Sequence, residues 1–547
     1  MKNILTIFII ILFFFLWASV GWGATYYVDP SCGTPGNGSS GSCDGDANDP
    51  FDSLDDVNSA LSDTDDVYFL AGTTLNLGTT STTEKINLYE LDGTTINPIV
   101  IGCYWMEGGS ENTDCTGKTY PILDGVRDGQ GTPLRPNGLQ NEGVIDKQDN
   151  NATHNTGNVT ITQIHIRDSG AAGIYFVGPN SATYDGYNVI IDDVIISYID
   201  QTGIVLANYI NCQVIESRID QVVLVGTVPF NAGSGIALTG NGVVDNSYNT
   251  TVARNKISNC QECISGFART RDNIIEDNLI WDNRDMGIYF ERSRNNIIKN
   301  NLIYGSSSRP NAVSGIWLNN ENEVPETYYC YMGGNEIYGN MVANTDHGVY
   351  IGCARCIPNP TCWQEFDTKI YNNTFVNNET NIHFSNWTGN SGANSSSILI
   401  KNNISKLYSS GFIHISASGD SINGVTYDYN LFNGIDTVTG NAMDNYRTGD
   451  PNLSTDTEAA WESLSSTGNV DGTEFATEVG GDGIDNGTSI ASYNDRITAS
   501  DFTATPITVT TETDSSPDIG AWMYGAGGIS APDYPLQGVK LNGVKYN

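Results

Sequence analysis

Asp285, Asp346 and Glu379 each stand four residues before the variable position of a G-[I/V]-x-[apolar] or closely related segment. Equivalent offsets in equivalent repeats would bring the three carboxylates into one column. Stacked parallel strands lie about 4.8 Å apart, so Asp346 and Glu379 fall about 5 Å apart and Asp285 about 10 Å from Asp346. Two carboxylates are what acid–base cleavage of a glycosidic bond requires, about 5–5.5 Å apart for retention and about 6.5–9.5 Å for inversion. The offsets accommodate either outcome. Acidic residues are abundant in this chain, so chance alignment competes with function. His347, Glu291, Arg292 and Asn319 complete the border of the same region.

The variable position itself carries Tyr289, Trp317, Tyr350 and His383 in successive repeats, after Tyr175, Val205, Ala237 and Ser265 earlier and before His414 later. In a short strand its neighbours point inward, so these side chains are expected to face solvent as a stacked row. Sugars present apolar C–H faces that exposed rings bind well. Strand propensity alone also places aromatics here, which makes the run of consecutive rings, rather than any one ring, the signal.

The elements that must position these residues are repeats. Ile275, Asn278, Ile280 and Gly287-Ile288-Tyr289-Phe290 make one unit, and Ile298, Asn301 and Ile303 begin the next, with 23 residues between Asn278 and Asn301. The frame extends over Asn255, Asn278, Asn301, Asn340, Asn373 and Asn403, each with an apolar residue three before. Strands of three or four residues separated by Gly and Asn, at a period of this size, predict a parallel β-helix, an all-β solenoid whose Asn column stacks side-chain amides in the turns. The steps from Trp317 to Tyr350 and from Tyr350 to His383 are each 33 residues. The extra length predicts two loops over one edge of the sheet, carrying Tyr328, Tyr329, Tyr331, Arg355 and Trp363, with Arg355 able to reach a bound ligand.

Of 547 residues, 63 are acidic and 25 basic, a formal net charge of −38, which argues against nucleic acid as a partner. Lys2, the apolar run Ile4–Trp17 and small residues to Ala24 read as a signal peptide; the run is short for a membrane span and no second one follows. The expected product is an exported monomer without stable membrane insertion. Eleven cysteines fit an oxidising compartment. Cys32/Cys43 and Cys103/Cys115 are plausible local pairs, Cys330, Cys353, Cys356 and Cys362 form a set in the two long loops, and Cys212, Cys260 and Cys263 remain, leaving at least one thiol unpaired. Oxygen-rich loops at Asp44, Asp46 and Asp49 and at 480–485 suggest Ca²⁺ as a possible cofactor. Glu276 and Lys299 occupy equivalent positions and are expected to form an exposed ion pair.

The expected organisation is a signal peptide over 1–24 and an opening region over 25–150. Coils follow over 151–420, a C-terminal cap over 421–525 and a tail over 526–547. Val57, Ala60 and Leu61 at helical spacing predict a cap helix over the open first coil. Tyr26-Tyr27-Val28-Asp29, Pro50-Phe51-x-Ser53-Leu54, Asp66-Val67-Tyr68-Phe69 and Tyr120-Pro121-x-Leu123-Asp124-Gly125 resemble the opening of secreted right-handed parallel β-helix proteins of the pectate-lyase-like superfamily. Gly483-Ile484-Asp485-Asn486-Gly487-Thr488 and Asp518-Ile519-Gly520-Ala521-Trp522 resemble the closing segment of that group, with Met523 where the group carries Glu. The resemblance covers nearly the whole mature chain and implies the fold; for activity it spans lyases, hydrolases, epimerases and proteins of unknown role. Asn344-Thr345-Asp346 is similar to the N-T-D element of polygalacturonase-type hydrolases, whose later elements do not follow in order. The expectation is an exported protein that cleaves or binds a polysaccharide, as lyase or hydrolase, along the aromatic row. The alternative is a non-catalytic surface or matrix protein of the same fold.

Overall fold

The computed structural model describes residues 23–33, 36–77, 85–125, 142–149, 155–170, 172–179, 186–222, 233–240, 247–267, 270–306, 312–319, 333–352, 367–385, 398–406, 411–415, 425–433, 447–448, 450–451, 453, 460, 463–464, 495–499 and 508–511. Residues 1–22 of the expected signal peptide, the closing motifs, the tail, Arg355 and the four loop cysteines lie outside them.

Between Ile274 and Ile415 consecutive strands do not pair with each other. Each pairs in parallel with its counterpart one turn on: Ile274–Glu276 with Ile297–Lys299, Leu279–Trp281 with Leu302–Tyr304, and Met286–Glu291 with Ala312–Asn319. Three strands per turn, repeated, make three stacks of parallel strands. With crossovers of the right-handed sense that parallel strands take, this is a right-handed parallel β-helix. The described chain forms two units, Met1–Asn273 and Ile274–Asn547. In the first, one stack begins with Thr25–Val28 on Asp66–Leu70 on Ile99–Glu107. In the second, the three stacks begin at Ile274–Glu276, Leu279–Trp281 and Met286–Glu291.

The interior follows from the repeat. Ile275, Ile298, Ile337, Ile370 and Ile400 form one column, Ile280, Ile303, Val342 and Phe375 a second, and Ile288, Ile316, Val349 and Ile382 a third, all fully buried. Each such side chain contributes roughly 1.5–3 kcal/mol relative to exposure. The glycine before the third column is required by close approach: a Cβ on Gly287 would stand 2.6 Å from the carbonyl oxygen of Gly315 on the next turn.

The asparagine column is a continuous ladder. The Nδ2 of Asn278 donates to Oδ1 of Asn301 at 2.9 Å, Asn301 to Asn340 at 3.0 Å, Asn340 to Asn373 at 3.0 Å, Asn373 to Asn403 at 3.0 Å and Asn403 to Asn430 at 2.9 Å. Each Oδ1 also accepts the backbone N–H of the preceding Asn, as Asn340 does from Asn301 at 3.0 Å. These amides are buried and satisfied, as buried polar groups must be. The residue before each rung turns the chain in the left-handed region: Asp277, Asn300, Gly339, Asn372, Asn402 and Tyr429 all have φ between 52° and 65°. Asn and Gly adopt that region at least cost.

The expected cap helix is present as Leu54–Ala60. Ser53 caps it, accepting from the N–H of Asp56, and Leu54 and Val57 are buried. The Nδ2 of Asn58 donates to the carbonyl of Lys85 at 2.7 Å, tying the helix to the strand that starts at Ile86. Coil strands continue past residue 420, through Val425–Asp428 and Leu431–Asn433 to Arg447–Thr448. An antiparallel pair, Asp495–Ala499 with Thr508–Thr511, lies further on.

Cys32–Cys43 and Cys103–Cys115 are disulfides, as the local spacing suggests, and Cys260–Cys263 is a third. Cys212 is a buried free thiol, and burial pushes it up to about 12. Among the described residues no helix is long and apolar enough to cross a membrane.

Candidate functional site

The site is built on four strands of the second unit: Met286–Glu291, Ala312–Asn319, Thr345–Gly352 and Thr380–Ser385. Their register pairs Tyr289 with Trp317, Trp317 with Tyr350 and Tyr350 with His383. The rings touch in sequence. Tyr289 meets Trp317 edge-on with centroids 6.2 Å apart, Trp317 lies 4.1 Å from Tyr350, and Tyr350 stacks on His383 at 4.9 Å with the planes within 4°.

The row is less open than its strand positions imply. Trp317 and Tyr350 are half-buried, whereas Tyr289 is 4% and His383 8% exposed. Packing of ring on ring helps close the two ends. At the equivalent positions of the first unit Val205, Ala237 and Ser265 are buried as well, so the variable position is not solvent-facing as a rule. Ser265 turns its hydroxyl onto Ser234, 2.7 Å away. His414 follows His383 in register within Gly411–Ile415.

His347 belongs inside the row rather than on its border. Its ring lies 5.2 Å from that of Tyr350 and 4.4 Å from that of His383. Strict alternation does not anticipate this. The pairing skips Gly287, Gly315 and Gly348, and residues three positions before each ring, Met286, Ser314 and His347, share one register line beside it. The glycine before each Ile or Val is the signal that the alternation breaks there. Gly352 is a further residue that pattern reading missed: a Cβ there would lie 2.6 Å from Cε1 of Tyr350 and 2.9 Å from Oδ1 of Asn319. Asn319 is buried and in register with Glu291 and Gly352.

The carboxylates fall one register position before those residues. Since His347 pairs with Thr380 and with Ser314, which pairs with Met286, the preceding Asp346, Glu379 and Asp285 occupy one line, with Val313 between Asp285 and Asp346. Burial, then the charge of Glu379, raises the carboxyl of Asp346 above its ordinary value. Asp285 is half-buried and Glu379 exposed. Arg292 sits at φ 49° with its Nε 2.8 Å from Oε1 of Glu291, an ion pair at the Tyr289 end of the row. Oγ of Ser314 and Nε1 of Trp317 are buried without a hydrogen-bond partner among the described residues.

The loop of Asp44, Asp46 and Asp49 has a structural explanation. Asp49 is 1% exposed, and its carboxylate accepts the backbone N–H groups of Asp44 at 3.0 Å, Gly45 at 2.8 Å and Asp46 at 3.3 Å. Those lone pairs close a turn rather than await a cation. Among the described residues no group of three His, Cys, Asp or Glu is placed to hold a metal ion. The loop at 480–485 lies outside the described residues. Glu276 and Lys299 do pair, at 2.8 Å, but half-buried rather than exposed. Burial alone would lower Lys299; the hydrogen bond and charge of Glu276 outweigh it and raise the ammonium.

The model of a family described as periplasmic copper-binding protein (NosD) matches residues 186–411. No curated protein matches this chain. Similar solved structures include pectate lyase Pel9A, 14% identical with a TM-score of 0.44 over 92% of this chain and 98% of that one. A catalytic unit of an alpha-1,3-glucanase from Streptomyces thermodiastaticus is 14% identical, with a TM-score of 0.46 over 73% of this chain and 64% of that one. A tailspike protein of E. coli bacteriophage HK620 is 13% identical, with a TM-score of 0.48 over 76% and 67%. Likeness at this level carries no inference about activity. The described residues do not fit a copper centre either. His347 and His383 supply two imidazoles packed ring on ring, 4.4 Å between centres, and no set of three donors forms around them. Copper(II) favours square-planar or tetragonal sets of N and O donors.

Proposed function

We propose that this chain is an exported carbohydrate-active β-helix protein that engages a polysaccharide along Tyr289, Trp317, Tyr350 and His383. The observation that carries this is the row itself: four ring side chains in unbroken register on one sheet, the middle two only half-buried. Trp317 and Tyr350 supply the apolar faces on which a pyranose stacks.

Hydrolysis fits the border better than elimination does. Asp346, held protonated to higher pH by burial and by Glu379, suits a general acid, and Glu379 one turn away suits its carboxylate partner. Elimination needs a free base and a cation to neutralise a uronate, and Arg292 is engaged by Glu291. Export is supported by the leading apolar segment and by three disulfides, which persist in oxidising compartments. The reading includes no stable membrane insertion, no nucleic-acid partner and a monomeric chain.

The test is a polysaccharide panel on the mature chain, scoring new reducing ends together with the ultraviolet absorbance of unsaturated uronates. Reducing ends without absorbance, abolished in Asp346→Asn and Glu379→Gln, support hydrolysis; absorbance means elimination. Silence on both, with Trp317-dependent glycan binding retained, favours the non-catalytic alternative.

A further inference from the structure

We propose that the glycan taken by this face carries no anionic groups, a neutral or N-acetylated chain rather than a polyuronate or a sulfated one. The inference rests on the proposed aromatic row and adds the substrate class. Its ground is the distribution of charge around the rings. Asp285, Asp346 and Glu379 run in one line along one flank, and Glu291 stands at the other side of Tyr289. The described basic residues near the row, Arg284 and Arg292, lie at the Tyr289 end, and Arg292 is held 2.8 Å from Glu291. Along Ala312–Asn319, Thr345–Gly352 and Thr380–Ser385 there is no Lys or Arg.

A polyuronate lying along Trp317, Tyr350 and His383 would bring one carboxylate per sugar against Asp346 and Glu379. Like charges on a half-buried face repel more strongly than in water, and the chain as a whole, at −38, repels an anionic polymer before contact. A neutral chain meets no such barrier. The groups open to it, the half-buried rings of Trp317 and Tyr350, are those that read the C–H faces of a sugar.

The test is calorimetric titration of the full mature chain with hexasaccharides of glucose, of N-acetylglucosamine, of galacturonate and of guluronate. Each runs in EDTA and again in Ca²⁺, against Trp317→Ala, Arg355→Ala and Asp346→Asn/Glu379→Gln. The expected result is binding of a neutral or N-acetylated probe at least about tenfold tighter than either uronate, about 1.4 kcal/mol, lost in Trp317→Ala. The double carboxamide variant should narrow that gap. Tighter uronate binding that depends on Trp317, and most clearly if it also depends on Arg355, overturns the substrate class and leaves the aromatic row standing. Binding of any probe that ignores Trp317→Ala, or no binding at all, overturns the row and this inference with it.

Discussion

The imidazole of His383 lies flat over the phenol ring of Tyr350, centres 4.9 Å apart and planes within 4°, with His347 tilted against both. Three ring side chains from two turns thus form one rigid surface, and Trp317 extends it at 4.1 Å. A preformed surface loses little entropy on binding, which is what a weakly sticky, repetitive ligand needs.

Trp317→Ala should therefore cost about tenfold or more in glycan affinity without altering the far-ultraviolet circular dichroism of the sheets. Unchanged affinity would exclude the row as the binding surface.

Gly352→Ala should act on the same readout from outside the contact surface. A Cβ 2.6 Å from Tyr350 and 2.9 Å from Asn319 must move one of them. The expected outcome is weaker binding with a tilted Tyr350 in a crystal structure of the variant; wild-type affinity would show that the rings have slack.

Asn340→Ala removes a rung that bonds both Asn301 and Asn373 and leaves their amides short of partners in the interior. The loss is expected at about 2–4 kcal/mol, read as a lower midpoint in denaturant. A change within experimental error would mean that the ladder is decoration on an already stable solenoid.

Burial first, then Glu216 and Asp193, raises Asp192 from 3.8 to about 6. A raised carboxyl favours folding while protonated, so its contribution is complete below about pH 4 and is lost as pH rises through about 6. Asp192→Asn should flatten the decline in Tm across that window and change little below it. An unaltered slope would place the charge cost elsewhere in the acidic turns.

Glu379→Gln should lower the carboxyl pKa of Asp346, because the charge of Glu379 is one of the two causes that raise it. Carboxyl titration of Asp346 by NMR in the variant and in the wild type reads that shift directly. A titration that stays in place means that the charge of Glu379 does not reach Asp346.

The core was legible because burial in a solenoid repeats. Ile275 and Ile298 announce the same inward position, and Asn278 and Asn301 the same turn, so reading one turn reads its neighbours. The aromatic row followed from the same arithmetic and stands in the expected register. Its exposure did not follow, because period-2 alternation says which way a side chain leaves the sheet and nothing about what lies over it; Tyr289 and His383 are covered. Alternation carried straight through Gly348 does not bring His347 into the row, whereas the structure packs it against Tyr350 and His383.

From sequence alone came the parallel β-helix, the Asn ladder, the cap helix and the one-turn spacing of Asp346 and Glu379, since each depends on local period and on identical neighbours. Only the tertiary structure decided which rings remain open, that Asp49 serves backbone N–H groups of its own loop, and that Cys260 bonds Cys263. Those outcomes depend on which particular atoms meet, and a repeat, by making every turn look alike, says least where one turn differs from the next.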